Sequence, residues 1–193
     1  LGHVAEARAE YRNVVAAYER TVGSNHANLL QARVARASMN ASLGLAAEAL
    51  EELLEVLDVQ TQAFGLHHSD TLMTEHNVAA IYLSMGRVEE AAPLLQRIFA
   101  HREATFGRAH PTTRSVASTL ASAHAELGRF DECLQLHEAT LGYLATDLGL
   151  GHPETLADQY AIGVTYLRLG RTGDAVRLLR EVLPTAENVL GSH

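Results

Sequence analysis

The sequence has no lysine and no tryptophan, and few of its residues are aromatic. All 15 of its cationic side chains are arginines, against 23 acidic side chains, which gives a formal net charge of −8 at pH 7. Nucleic-acid-binding domains normally carry a basic surplus that pairs with phosphate groups. The acidic balance therefore argues against a nucleic-acid partner.

Cys133 is the one cysteine among the 193 residues. A single thiol excludes an intramolecular disulfide framework and a cysteine-rich zinc module, and it fits a reducing compartment, so we expect a cytoplasmic protein. The sequence also lacks a run of roughly 18 apolar residues and an N-terminal signal pattern. It therefore predicts no membrane partner.

Apolar residues are abundant, at 47%, while charged residues make up 20% and aromatic residues 5%. This composition supports a globular core rather than a disordered chain. With so few aromatic residues, the core must be built mainly from Ala, Leu and Val.

A repeat with a period of 42 residues runs through the chain. A fixed internal period of this length is the sequence signature of a solenoid. Two series of glycines and one series of histidines mark the period: Gly23, Gly65, Gly107, Gly149 and Gly191; Gly2, Gly44, Gly86, Gly128 and Gly170; and His26, His68, His110 and His152.

Between the glycines, apolar residues recur with helical spacing. Val78, Tyr82 and Met85 share one face of one segment, and Ala91 and Leu95 share one face of the next. A glycine after such a segment commonly ends a helix, so each repeat is predicted to contain two helices. First helices are expected at 27–43, 69–85, 111–127 and 153–169, and second helices at 3–21, 45–63, 87–105, 129–147 and 171–189.

These repeats resemble the tetratricopeptide repeat (TPR), in the long variety found in kinesin light chain and in many bacterial signalling proteins. The resemblance rests on residues 64–72, 77–82 and 85–91 of the second repeat and on 148–156 and 169–171 of the fourth. It implies an all-α fold, a right-handed superhelical solenoid of antiparallel helix pairs with about nine helices.

Several residues depart from the pattern of that family, and in the first repeat Ala27 replaces the usual proline. Arg36 stands where an apolar residue is usual, and Asn40 where an aromatic residue is usual. Cys133 replaces the small alanine at which two helices approach each other, so we expect a buried, inert thiol.

The whole chain, 1–193, is expected to form one TPR solenoid. Because the sequence begins without Met and both ends fall within a repeat, we expect it to be a piece of a longer array. The predicted parts are an orphan second helix at 1–22, four full repeats at 23–64, 65–106, 107–148 and 149–190, and the start of a further repeat at 191–193.

In arrays of this family the first helices line a concave groove. The first helices here sum to a charge of −1 and the second helices to −8, so the groove is nearly neutral. The resemblance implies a non-catalytic scaffold that binds a peptide or partner domain in this groove. Groove positions carried over by register are Val34, Ser38, Met73, His76, Asn77, Ala80, Ser84, Ser118, Thr119, Ser122, Tyr160, Val164 and Arg168.

Catalytic and metal-binding functions are not predicted. The sequence has no nucleophile motif and no glycine-rich phosphate loop, so neither an enzyme nor a cofactor is expected. The repeat histidines recur once per repeat, about 10 Å apart, whereas ligands of one zinc ion lie about 2 Å from it. We expect these histidines to cap turns rather than hold a metal.

Two alternatives stay open. The array could be a sensor or autoinhibitory domain of a larger bacterial signalling protein, such as a nucleotide-switch ATPase, a kinase or a transcription regulator. The arginine-only cations fit a GC-rich bacterial genome. The apolar ends of a solenoid could also be covered by a second copy, which would give self-association.

Overall fold

Nine α-helices, and no strand, make up the regular secondary structure of residues 2–23 and 26–190, which the computed structural model describes. This confirms the predicted all-α fold, and each helix boundary falls within one residue of the predicted one. The predicted start of a further repeat at 191–193 lies outside the described residues. The helices are α1 (Gly2–Thr21), α2 (Ala27–Ser42), α3 (Ala46–Phe64), α4 (Ser69–Ser84), α5 (Val88–Phe106), α6 (Pro111–Glu126), α7 (Phe130–Asp147), α8 (Pro153–Arg168) and α9 (Thr172–Leu190).

The chain divides into two compact units, Leu1–Leu94 and Leu95–His193. In the first unit, Ala37 of α2, Leu53 of α3 and Val78 of α4 belong to one fully buried apolar cluster. In the second unit, α7 packs against α6 and α8, and α8 packs against α9. Both cores consist mainly of small and branched aliphatic side chains, as the composition predicts.

Glycines end the helices where the spacing predicts. Gly86, which follows α4, has a φ of 71°, a left-handed conformation that favours glycine because it has no Cβ. The N–H of Gly86 donates to the carbonyl of Leu83 at 3.0 Å, and the N–H of Arg87 donates to the carbonyl of Tyr82 at 2.8 Å. These bonds satisfy carbonyl groups at the end of α4 and turn the chain into α5.

The repeat histidines begin the four first helices. In each repeat the Nδ1 atom of the histidine accepts a hydrogen bond from the backbone N–H two residues later, at 3.2 to 3.3 Å. This N-cap satisfies a donor that the helix itself cannot, and it confirms the predicted capping role. The capped pairs are His26 with Asn28, His68 with Asp70, His110 with Thr112 and His152 with Glu154.

An ion pair replaces apolar packing in the first repeat. By repeat register, Arg36 of α2 and Glu52 of α3 stand where the next repeat has Val78 and Leu94. The Glu52 carboxylate is only 10% exposed and accepts hydrogen bonds from Arg36 at 2.5 Å and from Arg33 at 3.4 Å. The departure of Arg36 from the family pattern is therefore balanced by Glu52.

A second polar cluster lies between α7 and α8. Nδ1 of His137 and Oδ1 of Asp158 are 2.9 Å apart, and both side chains are buried. Burial lowers the pKa of His137, but hydrogen bonds to Asp158 and Cys133, together with their charges, outweigh burial and raise it to about 9. His137 is therefore charged at neutral pH and forms a buried ion pair with Asp158.

The Arg36–Glu52 pair gives a stability prediction. Removing one member of a buried ion pair strands the other charge, whereas replacing both by packed apolar groups is often neutral. We expect Glu52→Leu alone to lower the free energy of unfolding by roughly 2 kcal/mol. The double variant Arg36→Val/Glu52→Leu, which carries the residues of the next repeat, should come within about 1 kcal/mol of the wild type. Urea unfolding followed by circular dichroism measures both, and a double variant no more stable than the single one would contradict this account.

The His137–Asp158 pair predicts a pH dependence. A pKa raised from 6.5 to about 9 on folding means that the stabilisation is fully present below pH 6.5 and is lost as the pH rises through about 9. The Cys133→Ala background removes the neighbouring thiol, whose pKa is itself shifted, and introduces the residue of the other repeats. In it, the hydrogen bond and charge of Asp158 still raise the pKa of His137 while the contribution of Cys133 is lost, so the free energy of unfolding should fall by about 1 kcal/mol between pH 6.5 and pH 10.

The matched control for this titration is Cys133→Ala/His137→Leu/Asp158→Val, in which residues found at the equivalent positions of other repeats replace the whole cluster. Because it lacks the buried pair, its stability should change less over the same pH range. Equal pH dependence in the two proteins would show that His137 is not the group responsible.

Candidate functional site

The predicted groove residues all lie on first helices. The first unit holds seven of them on α2 and α4, and the second unit holds six on α6 and α8. We call these 13 residues the first-helix surface.

In the first unit, one large apolar side chain of the first-helix surface is open to solvent. Met73 is 59% exposed, and Ala80, which lies two turns later on α4, is also exposed. Val34 is different, because it is half-buried and packs against the core cluster of α2, α3 and α4. On the first-helix surface of this unit, Met73 is therefore the large apolar side chain that an apolar group of a partner can reach.

The hydroxyl groups of this surface mostly donate to their own helices. Each of four bonds to the carbonyl of the residue three or four positions earlier, at 2.8 to 3.1 Å. A hydroxyl that has donated its hydrogen still has lone pairs that accept. These groups can therefore accept hydrogen bonds from a partner. The four residues are Ser38, Ser84, Thr119 and Ser122; Ser118, beside them on α6, is exposed.

His76 and Asn77 are half-buried on α4. A side-chain amide has two donors and an acceptor, so Asn77 can bind both the N–H and the C=O of a peptide backbone. Within the described residues the structure gives the Asn77 amide no hydrogen-bond partner.

In the second unit, a cleft of about 460 Å³ brings two predicted residues together. Val164 and Arg168 of α8 line it with Glu126 of α6 and Phe130 of α7. Glu126 and Arg168 are both exposed, so the cleft has one charge of each sign beside apolar side chains. Such a cleft can hold an apolar side chain of a peptide and orient the polar groups next to it.

Tyr160 lies in a different cleft from Val164 and Arg168. It is 64% exposed and lines a space of about 720 Å³ between α8 and α9. The groove positions are assigned by repeat register to first helices only. This assignment misses the α9 side of the cleft, because α9 is a second helix. The heptad-like apolar spacing of α9 is the sequence signal that could have found it. The α9 residues concerned include Val176, Leu179 and Leu183.

The side chains that could bind a metal or act as a nucleophile are dispersed or buried. Among the side chains that the structure describes, no three His, Cys, Asp or Glu are grouped so that they could hold a metal ion. Burial raises the pKa of the Cys133 thiol, but hydrogen bonds with His137 and Thr165 bring it below its ordinary value. The thiol is only 2% exposed, which confirms its predicted burial and closes it to a substrate. No described helix combines the length and the apolar character needed to cross a bilayer.

Family comparison covers almost the whole chain. A tetratricopeptide repeat model matches residues 31–104, 70–142 and 112–188, and a second tetratricopeptide repeat model matches residues 1–28. No curated protein sequence matches the chain significantly.

Solved structures share the fold over nearly the full length. The nearly identical TPR-like repeats of a Podosopora anserina protein described as a kinesin light chain have a TM-score of 0.88 at 29% identity, covering 99% of this chain and 90% of that one. BtubC (BKLC) from P. vanneervenii has a TM-score of 0.81 at 15% identity, covering 100% and 76%. MamA has a TM-score of 0.67 at 16% identity, covering 96% and 84%. The last two show the fold alone.

These matches confirm the kinesin-light-chain-like repeat and the solenoid architecture that the sequence predicts. TPR domains are scaffolds for protein–protein interaction and are generally non-catalytic. With matches spanning residues 31–188 and nine helices of the expected lengths, the chain belongs to the tetratricopeptide repeat family.

Proposed function

We propose that the first-helix surface of each unit binds a peptide segment or a docking helix of a partner protein. The observation that carries this proposal is that the surface exposes apolar side chains which the core does not use. Met73 is 59% exposed in the first unit, and Val164 is 36% exposed in the second. Exposed apolar side chains beside polar groups are typical of peptide-binding faces.

Polar groups near these residues would bind the peptide backbone. The hydroxyls of Ser38, Ser84, Thr119 and Ser122 keep acceptor lone pairs, and the Asn77 amide can both donate and accept. Apolar contacts would then supply most of the affinity, while the hydrogen bonds set the orientation of the peptide.

The charges of the first helices favour a peptide with little net charge. Arg33 and Arg36 pair with Glu52, and Arg114 lies 3.3 Å from Glu154. Among the cations on the described first helices, only Arg168 has no ion pair. Recognition of an acidic C-terminus needs several free cations, which this surface does not offer.

We place this role in the cytoplasm of a bacterium, because the one thiol fits a reducing compartment and the arginine-only cations fit a GC-rich genome. If the bound peptide were a segment of the same polypeptide, the surface would serve the alternative function, that of a sensor or autoinhibitory domain in a larger signalling protein. To separate these two roles, peptides selected from a random library are compared with the sequence of the full-length protein. A match within that sequence would support the alternative function.

The test begins with peptides selected by display on the purified chain. Their dissociation constants are then measured by fluorescence anisotropy for the wild type and for the variant Asn77→Ala/Val164→Ala/Arg168→Ala. We expect the variant to bind at least about tenfold more weakly, because it loses an amide, an apolar contact and a cation.

The matched control removes the same three kinds of group from exposed second-helix positions, as Gln96→Ala/Leu54→Ala/Arg12→Ala. It should bind within about twofold of the wild type. Both variants must melt near the wild-type temperature. Equal binding by all three proteins, or no selected peptide with a dissociation constant below about 100 μM, would refute the proposal.

A further inference from the structure

The cleft of about 460 Å³ in the second unit carries two opposite charges beside an apolar lining. Its apolar side chains include Val164, which is 36% exposed, and Phe130, which is half-buried. Glu126 and Arg168 line the same cleft, and both are exposed. Neither charged group has an ion-pair or hydrogen-bond partner in the part of the chain that the structure describes. Both charges are therefore available to a bound molecule.

This cleft does not depend on where the sequence begins or ends. Three consecutive helices form it, and α9 follows them in the same unit. By repeat register, Ser122 and Glu126 of α6 are the equivalents of Val164 and Arg168 of α8. Ser122 and Glu126 both stay exposed although the next first helix, α8, is present. A further first helix after α9 would therefore leave Val164 and Arg168 exposed in the same way.

The two charges are a particular feature of the second unit. Each of the four capped first helices ends at the same register position, which is Ser42 in α2, Ser84 in α4, Glu126 in α6 and Arg168 in α8. The partial negative charge at the end of a helix favours a cation there and disfavours a carboxylate. Arg168 thus stabilises α8, whereas Glu126 opposes the stability of α6. Residues that break such a local rule are expected at functional sites.

The chemistry of the cleft defines the molecule that fits it. A guanidinium group binds a carboxylate through two parallel hydrogen bonds, so Arg168 suits an acidic side chain. The carboxylate of Glu126 suits a lysine or an arginine. A ligand with charges of only one sign would be repelled by one of the two residues. The apolar lining between the charges suits a large apolar side chain.

We propose that this cleft binds a segment of a partner protein in which a large apolar residue lies between an acidic and a basic residue. The acidic residue pairs with Arg168, the basic residue pairs with Glu126, and the apolar residue packs against Val164 and Phe130. The apolar contact supplies most of the affinity, and the two charge pairs select the segment. This inference rests on the proposed function and names the class of peptide that the second unit takes.

Peptides selected by display on the wild-type chain test the inference. The tightest binders should contain an acidic, a large apolar and a basic residue within a few positions of one another. Dissociation constants of the best peptide are measured by fluorescence anisotropy. Changing its acidic residue to Lys, or its basic residue to Glu, should weaken binding by about tenfold or more, because each change places like charges together in the cleft. These changes leave the protein intact, so no loss of folding can explain them.

Matching reversals in the protein identify which charges meet. Arg168→Glu should restore binding of the peptide with the acid-to-Lys change to within about threefold of the wild-type pair, and Glu126→Arg should do so for the base-to-Glu peptide. The two crossed combinations should stay weak. The matched controls Glu10→Arg and Arg12→Glu make the same changes at exposed positions of α1. They should leave every dissociation constant within about twofold.

Two results would overturn this inference and leave the proposed function standing. In one, the selected peptides lack one of the two charges, yet their binding is weakened by Asn77→Ala/Val164→Ala/Arg168→Ala. In the other, peptides with both charges bind, but changing those charges has no effect or the matching reversals do not restore binding. A chain that selects no peptide with a dissociation constant below about 100 μM would refute both the inference and the proposed function.

Discussion

The close approach of two helices at one small side chain in each repeat governs the rest of the structure. Ala49, Ala91, Cys133 and Ala175 occupy the same position of four successive second helices, and none is more than 2% exposed. A larger side chain there would push the helices apart and would weaken the contacts on either side of it. At the other buried positions, the repeats can therefore use polar as well as apolar side chains, provided that this spacing between helices is kept.

Two pairs of polar side chains replace apolar packing in the core, and in each pair the two charges are opposite. Arg36 is matched by Glu52, and His137 by Asp158, in each case across the boundary between two packed helices. A lone charge at any of these positions would be desolvated without compensation. The pairs also distinguish individual repeats, because each is found in only one of them. Such differences oppose the packing of a helix against the wrong neighbour, a risk in a chain built from repeats of one kind.

Much of the fold could be predicted because its signals are local. Gly86 permits a left-handed residue, and His68 places a ring nitrogen over the first turn of α4, so both mark helix ends without reference to distant residues. The pairing of Arg36 with Glu52 could not be predicted from local spacing, since it depends on how α2 crosses α3. Tyr160 shows the same limit. Its register places it with Val164 and Arg168, but it faces the cleft that α8 shares with α9.

The left-handed glycines have a consequence for how such a chain can change over time. Gly44, Gly65, Gly86, Gly107, Gly128, Gly149 and Gly170 all have positive φ and stand 21 residues apart, so alternate glycines are interchangeable junctions. Recombination between two junctions one period apart would add or delete 42 residues and rejoin a helix end to the same kind of turn. Because contacts in a solenoid are made between neighbouring repeats, such a change would leave the remaining repeats largely intact. The length of the array is therefore a property that selection can adjust in whole steps, separately from the side chains that its surface presents.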